Sequence, residues 1–150
     1  MRRIRPFLVH AVAWAVVPGA VVLPVLTSAT TASAATPTCT STSLVEGAFG
    51  AGNTLRVPTA GSGTGRFDCL LGVGDSSTAV GRLQIDLNDC YGDNLTVDND
   101  YGPLTEAAVK RVQRLEGITQ DGVYGPHTVD GFDYQLSGQP AGNCDRIDGA

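Results

Sequence analysis

The sequence predicts an all-α fold, a small three-helix bundle made of two half-repeats, preceded by a short extended or β-hairpin arm and braced by disulfides. Three observations predict it. Apolar residues recur at helical spacing, a tight-turn sequence occurs twice, and four cysteines lie beyond an export-type N-terminus.

The N-terminus is read first, because it sets the compartment. Arg2, Arg3 and Arg5 precede a run almost free of polar residues, Phe7 to Leu26, and the small residues Thr31-Ala-Ser-Ala34-Ala35 follow. This order predicts a secretory signal over residues 1–34. An uncleaved anchor is the alternative, disfavoured by Pro18, Gly19 and Pro24. The 150-residue chain carries a net charge of −5; without residues 1–34 it loses three Arg and keeps all fifteen Asp and Glu, giving −8. So acidic a chain has no electrostatic footprint for nucleic acid. No second apolar run approaches the roughly 18 residues that span a bilayer, so no membrane contact is expected after cleavage. A secreted, monomeric protein is the expectation.

Cys39, Cys69, Cys90 and Cys144 are even in number, and in an exported chain they predict two disulfides rather than a zinc site, since no C-x-x-C pair occurs. Three pairings are possible. The reading leans to Cys69–Cys90, with Cys39–Cys144 joining the ends.

Residues 35–69 form a Thr/Ser/Gly-rich arm in which Ser43 to Val45 and Thr54 to Pro58 read as extended, with a glycine-rich turn between them. A flexible linker is the alternative. Residues 70–136 carry the helices. Ser76-Ser77-Thr78 supplies capping groups, and Val80, Leu83 and Leu87 form one stripe of a helix that stops near Gly92. A second helix is predicted from Pro103 to about Glu116, with Ala108, Val112 and Leu115 inward and Gly117 as its stop. A third starts at Pro126 and carries Val129, Phe132 and Leu136 inward. Residues 137–150 read as an irregular tail.

The chain also matches itself. Ala79 to Gln84 matches Ala108 to Gln113, and Leu95 to Thr105 matches Ile118 to Thr128. Each shared turn has a local account. Asp98 or Asp121 accepts backbone hydrogen bonds two or three residues on. Gly102 or Gly125 takes a conformation closed to other residues. Pro103 or Pro126 occupies the first helical position, and Thr105 or Thr128 reaches the exposed donors of the first turn. Gln84 and Gln113, polar beside an apolar stripe, are expected to tie helix to loop.

The segments Ala79-Val-x-x-Leu-Gln84, Leu95-Thr-Val-Asp98, Tyr101-Gly-Pro-x-Thr-x-x-Ala-Val-x-x-Val-Gln113 and Gly117-Ile-x-x-Asp-Gly-Val-Tyr-Gly-Pro-x-Thr128 resemble the peptidoglycan-binding domain-like family. This small three-helix module is attached to many bacterial cell-wall hydrolases. The pattern departs from the family at Asn99, where Asp-Gly is usual, and at Val112 and Val129, where aromatic residues are common. The resemblance implies non-catalytic binding to peptidoglycan in a shallow groove near the repeated turns. The expected contacts are Tyr101, Gly102 and Thr105 at one turn, Tyr124, Gly125 and Thr128 at the other, and Arg111 beside Lys110 and Arg114. A cell-wall hydrolase acting in trans is a further expected partner.

An enzyme is not expected. His127 is the one histidine beyond the signal, no Cys–His pair or two-His metal site exists, and Asp98 and Asp121 already have turn-building roles. No metal or cofactor is expected. The rival function is a secreted interaction or regulatory protein that uses the same fold to bind a protein partner.

Overall fold

Helix α1, Thr78–Tyr91, begins where Ser77 turns extended and its hydroxyl faces the Val80 N–H, and it ends where Gly92 takes a left-handed φ of 71°. The structure is a computed structural model that describes residues 35–48, 52–63 and 65–147; the expected signal over 1–34 and the tip of the arm's turn at 49–51 lie outside the described residues. Val80, Leu83 and Leu87 are fully buried along α1, as their spacing predicts, and Ala79 is buried beside them.

Helix α2, Pro103–Leu115, closes on a Schellman turn: the Gly117 N–H donates to the Arg114 carbonyl (3.3 Å) and the Ile118 N–H to that of Gln113 (3.0 Å). Ala108, Val109 and Val112 are buried, but Leu115 is 63% exposed, against expectation. Its position lies about 90° around the helix from the centre of the buried arc, at 100° per residue; half-buried Glu116 takes that direction instead. Helix α3 spans only Pro126–Val129. Val129 and Phe132 are buried as expected, yet Phe132 lies beyond the helix and Leu136 is only partly buried.

The fold is mixed and mostly helical rather than all-α. Strands β1, Ser41–Glu46, and β2, Thr54–Thr59, form the expected antiparallel hairpin, with Val45 opposite Leu55 and Ser43 opposite Val57. Leu55 and Val57 point inward while Arg56 between them is exposed, the alternation of a strand with one face on a core. A flexible linker is therefore not what the described part of the arm forms. The tail, expected to be irregular, supplies an ordered pair as well: β3, Tyr134–Gln135, runs antiparallel to β4, Cys144–Asp145. A bridge from Leu55 to Leu136 and a 2.7 Å bond from the Ser137 N–H to the Thr54 carbonyl join the two hairpins.

One apolar core unites these elements, with Leu55, Val57, Leu83, Val112 and Phe132 in a single buried cluster. Phe132 packs against the rings of Tyr91, Tyr124 and Tyr134 at centroid distances of 5.0, 5.7 and 4.9 Å. Asp86 and Asp145 are both buried carboxylates, and Asp86 is the one on a helix. It meets the Arg82 guanidinium and accepts from the Gln135 N–H (2.9 Å), tying α1 to β3. Burial pushes its carboxyl up to about 7, against the opposing pull of those donors.

The disulfides are Cys39–Cys69 and Cys90–Cys144, not the expected pairing. The reason is local. Residues 37–39 run beside Leu70, with Cys39 N–H donating to the Leu70 carbonyl and Leu70 N–H to that of Pro37, both at 2.9 Å, which brings Cys39 to Cys69. Cys90 lies in the last turn of α1 and is bonded to Cys144 of β4. The closed loops, of separations 30 and 54, contribute about 4 kcal/mol each by the chain-entropy relation.

The two corners meet their helices through opposite choices of side chain. Asn99 sits at φ 66° and Gly122 at φ 74°, corresponding positions in the sequence match. A Cβ on Gly81 of α1 would lie 2.0 Å from Asn99 Oδ1; a Cβ on Gly122 would lie 2.7 Å from Cε of Lys110 on α2. A glycine faces a side chain in both cases, with the roles exchanged. Gly81→Ala should therefore destabilise the protein to denaturant, whereas in an Asn99→Gly background it should stabilise by about 1 kcal/mol through helix propensity. Equal effects in both backgrounds would disprove the fit.

Candidate binding cleft

A glutamine amide offers two N–H donors and a carbonyl that accepts twice, and each corner is built around one. Gln84 Oε1 accepts from the N–H groups of Asp98 and Asn99, both at 3.1 Å. Its Nε2 donates to Asp98 Oδ1 (2.8 Å), the Asp100 carbonyl (3.0 Å) and Thr105 Oγ1 (3.3 Å). At the other corner Gln113 Oε1 accepts from the Gly122 N–H (2.9 Å), and Nε2 donates to Asp121 Oδ1 (2.7 Å), the Val123 carbonyl (3.0 Å) and Thr128 Oγ1 (3.2 Å). Both glutamines are 2% exposed. Asp98 and Asp121 also accept from the N–H two residues on, at 3.0 and 2.9 Å, as expected. The bond from Gln84 holds the Asp98 carboxyl below its ordinary range.

Two turn expectations need correction. Gly102 and Gly125 have extended backbones, with φ of −92° and −157°, so neither requires glycine for its φ. The left-handed positions are Asn99 and Gly122. Gly125 is needed for space, since a Cβ there would lie 2.6 Å from Leu70 Cδ2. Thr105 and Thr128 bond their glutamines rather than free helix N–H groups, and no side chain caps either helix. Pro103 and Pro126 open their helices as expected.

Each corner opens into a cleft made of corresponding residues. Gln84, Leu95, Asp98, Pro103 and Thr105 line one of about 160 Å³. Gln113, Ile118, Asp121, Pro126 and Thr128 line one of about 670 Å³. Where the first corner presents Leu104, the second presents His127. Leu70, Glu116, Asp130 and Gly131 extend the larger cleft beyond what the smaller has. Its lining carries three carboxylates and no Lys or Arg; Glu116 also receives Arg146 Nη2 at 3.3 Å.

The residues expected to touch ligand divide into three groups. Gly125 and Thr128 line the large cleft, and Gly102 and Thr105 line the small one. Tyr101 and Tyr124 lie in the core, 2% and 0% exposed, where burial raises both phenols. Tyr101 Oη donates to the Gly122 carbonyl (2.7 Å), linking one corner to the other, and Tyr124 Oη shares a 2.7 Å bond with Tyr134. Arg111 is committed to the Tyr91 carbonyl and Asp93, and Lys110 to Glu106. Arg114 is exposed, and none of the three cations lines either cleft. Ile118, Val123 and Leu70 also line the larger cleft, beyond the residues the sequence points to. For Ile118 the sequence signal was its place between Gly117 and the repeated turn. Among the described residues, no group of three or more His, Cys, Asp or Glu is placed to hold a metal ion.

Residues 76–130, which contain both corners, match the family described as "Putative peptidoglycan binding domain". These residues are a domain of that family. The chain is 41% identical over 68 residues to the "Zinc D-Ala-D-Ala carboxypeptidase" of Streptomyces albus G, covering 44% of this chain and 26% of the relative. It is 41% identical over 69 residues to an "Uncharacterized protein in bpoA1 3'region" of Kitasatospora aureofaciens, covering 45% of this chain and 58% of the relative. The chain thus matches about a quarter of one curated relative and under two thirds of the other. Among solved structures, a "Peptidoglycan-Binding Protein" from Clostridioides difficile is similar at 28% identity and a TM-score of 0.42, over 51% of this chain and 43% of that one. A fused zinc-dependent amidase/peptidase/peptidoglycan-binding protein from Clostridium acetobutylicum is similar at 34% identity and a TM-score of 0.38, over 39% of this chain and 26% of that one.

Replacing Gln84 or Gln113 by Leu should cost about 2–4 kcal/mol in each case, because buried corner N–H and carbonyl groups lose their partner. Urea unfolding checks this, and a change under 1 kcal/mol at both positions would contradict the role assigned to them.

Proposed function

We propose that this protein is a secreted, non-catalytic module that binds bacterial cell-wall peptidoglycan in the cleft beside the second corner. The observation that carries the reading is the family match over residues 76–130, which holds Gln113, Asp121 and Thr128, the polar side chains that tie that corner together. The size of the cleft supports the choice between the two, as does its mixture of apolar walls at Ile118 and Pro126 with polar groups at Asp121 and Thr128. The two disulfides fit an exported protein, and residues 1–34 have the order of a cleaved signal. No helix among the described residues is long and apolar enough to cross a membrane. On this reading the two half-repeats share a scaffold and differ in use: the second receives ligand and the first packs. A single such site binds weakly, and retention rests on rebinding within a dense polymer. A hydrolase acting in trans on the same wall is the natural companion.

Sedimentation with purified peptidoglycan sacculi tests the proposal. The chain should be depleted from the supernatant, and Ile118→Arg should weaken retention several-fold without shifting the unfolding midpoint. Leu104→Arg, at the smaller cleft, should leave retention unchanged. No depletion at any salt concentration would overturn the reading and favour a secreted module for a protein partner.

A further inference from the structure

One wall of the larger cleft comes from outside the segment that matches the family. Leu71 and Tyr124 form an antiparallel bridge, each N–H donating to the other's carbonyl at 2.8 and 2.9 Å. Side chains alternate along paired extended segments, and the burial follows that rule. Leu71 and Tyr124 are both fully buried in the core. Their neighbours Leu70 and Val123 turn the other way and line the cleft. Gly125, opposite Leu70, has no side chain, and Leu70 Cδ2 lies 2.6 Å from where a Cβ would be. Leu70 therefore occupies space that any other residue at 125 would claim.

Leu70 is held from its own side as well. Its N–H donates to the Pro37 carbonyl, its carbonyl accepts from the Cys39 N–H, both at 2.9 Å, and Cys69 beside it is bonded to Cys39. The smaller cleft has no such wall: every residue that lines it lies within residues 84–105. The geometry points to Leu70 as a ligand-contacting residue of the larger cleft, positioned by the Cys39–Cys69 brace, so that the N-terminal arm completes the binding site. This rests on the peptidoglycan reading and adds to it a contact that the family segment alone does not contain.

Retention on purified sacculi, measured beside the unfolding midpoint of each variant, tests the inference. Leu70→Ala should weaken retention roughly four- to fifteenfold, the scale of losing one or two buried methyl or methylene contacts. Gly125→Ala should weaken it by pushing the Leu70 side chain aside while leaving the disulfide untouched. The double variant should be no weaker than Leu70→Ala alone, since both changes act on one wall. The Cys39→Ala/Cys69→Ala variant should fall to the Leu70→Ala level with its helical content intact. Wild-type retention by both the Leu70→Ala and Gly125→Ala chains would overturn the inference and leave peptidoglycan binding standing. A parent chain that is not retained at all would overturn both.

Discussion

A primary amide buried on the flank of a helix has to find its hydrogen-bond partners inside the protein, and Gln84 and Gln113 do so by gripping a loop. Each reaches from a helix to the backbone of the corner that leads into the next helix. Leaving such groups unpaired costs more than pairing them gains, so the corner has one favourable position. The helix that follows inherits its direction, and the cleft beside it inherits its shape. The apolar core is compatible with many small rearrangements; these two amides are not.

Much of this was legible in the sequence because it is local. The spacing of Val80, Leu83 and Leu87 places α1, Gly92 and Gly117 end α1 and α2, and the repeated Asp-to-Thr turn announces both corners. The glutamine-to-loop tie was readable from a polar residue set beside an apolar stripe. What failed depended on the path of the chain in space. The disulfide pairing follows from residues 37–39 lying beside Leu70, a contact that no spacing announces. The β3–β4 pair has only two residues in each strand, too few for alternation to register. Tyr101 and Tyr124 looked like ligand contacts because a phenol suits both a surface and a core. Only their partners, the Gly122 carbonyl and Tyr134, decide for the core.

The likeness of the two corners makes their difference informative. The same amide, aspartate, proline and threonine recur, yet one corner ends in a cavity about four times larger than the other. The scaffold cannot cause this, since it is shared. The difference comes from its borders, where α3 stops after four residues, Gly131 follows, and the arm brings Leu70 alongside. A stable corner can thus be used twice, and its surroundings decide which copy is open to a ligand. The exchange of side chains between Gly81–Asn99 and Gly122–Lys110 shows the same latitude on the packing side.

Amide hydrogen exchange at Gly122 tests the central claim most directly. This N–H lies in a loop, outside every helix and strand, and its partner is the buried Gln113 side chain. If the amide fixes the corner, Gly122 should exchange as slowly as the core amides of α2, through global unfolding alone. Exchange at the rate of an open loop would show that the corner moves independently of Gln113 and would contradict the account.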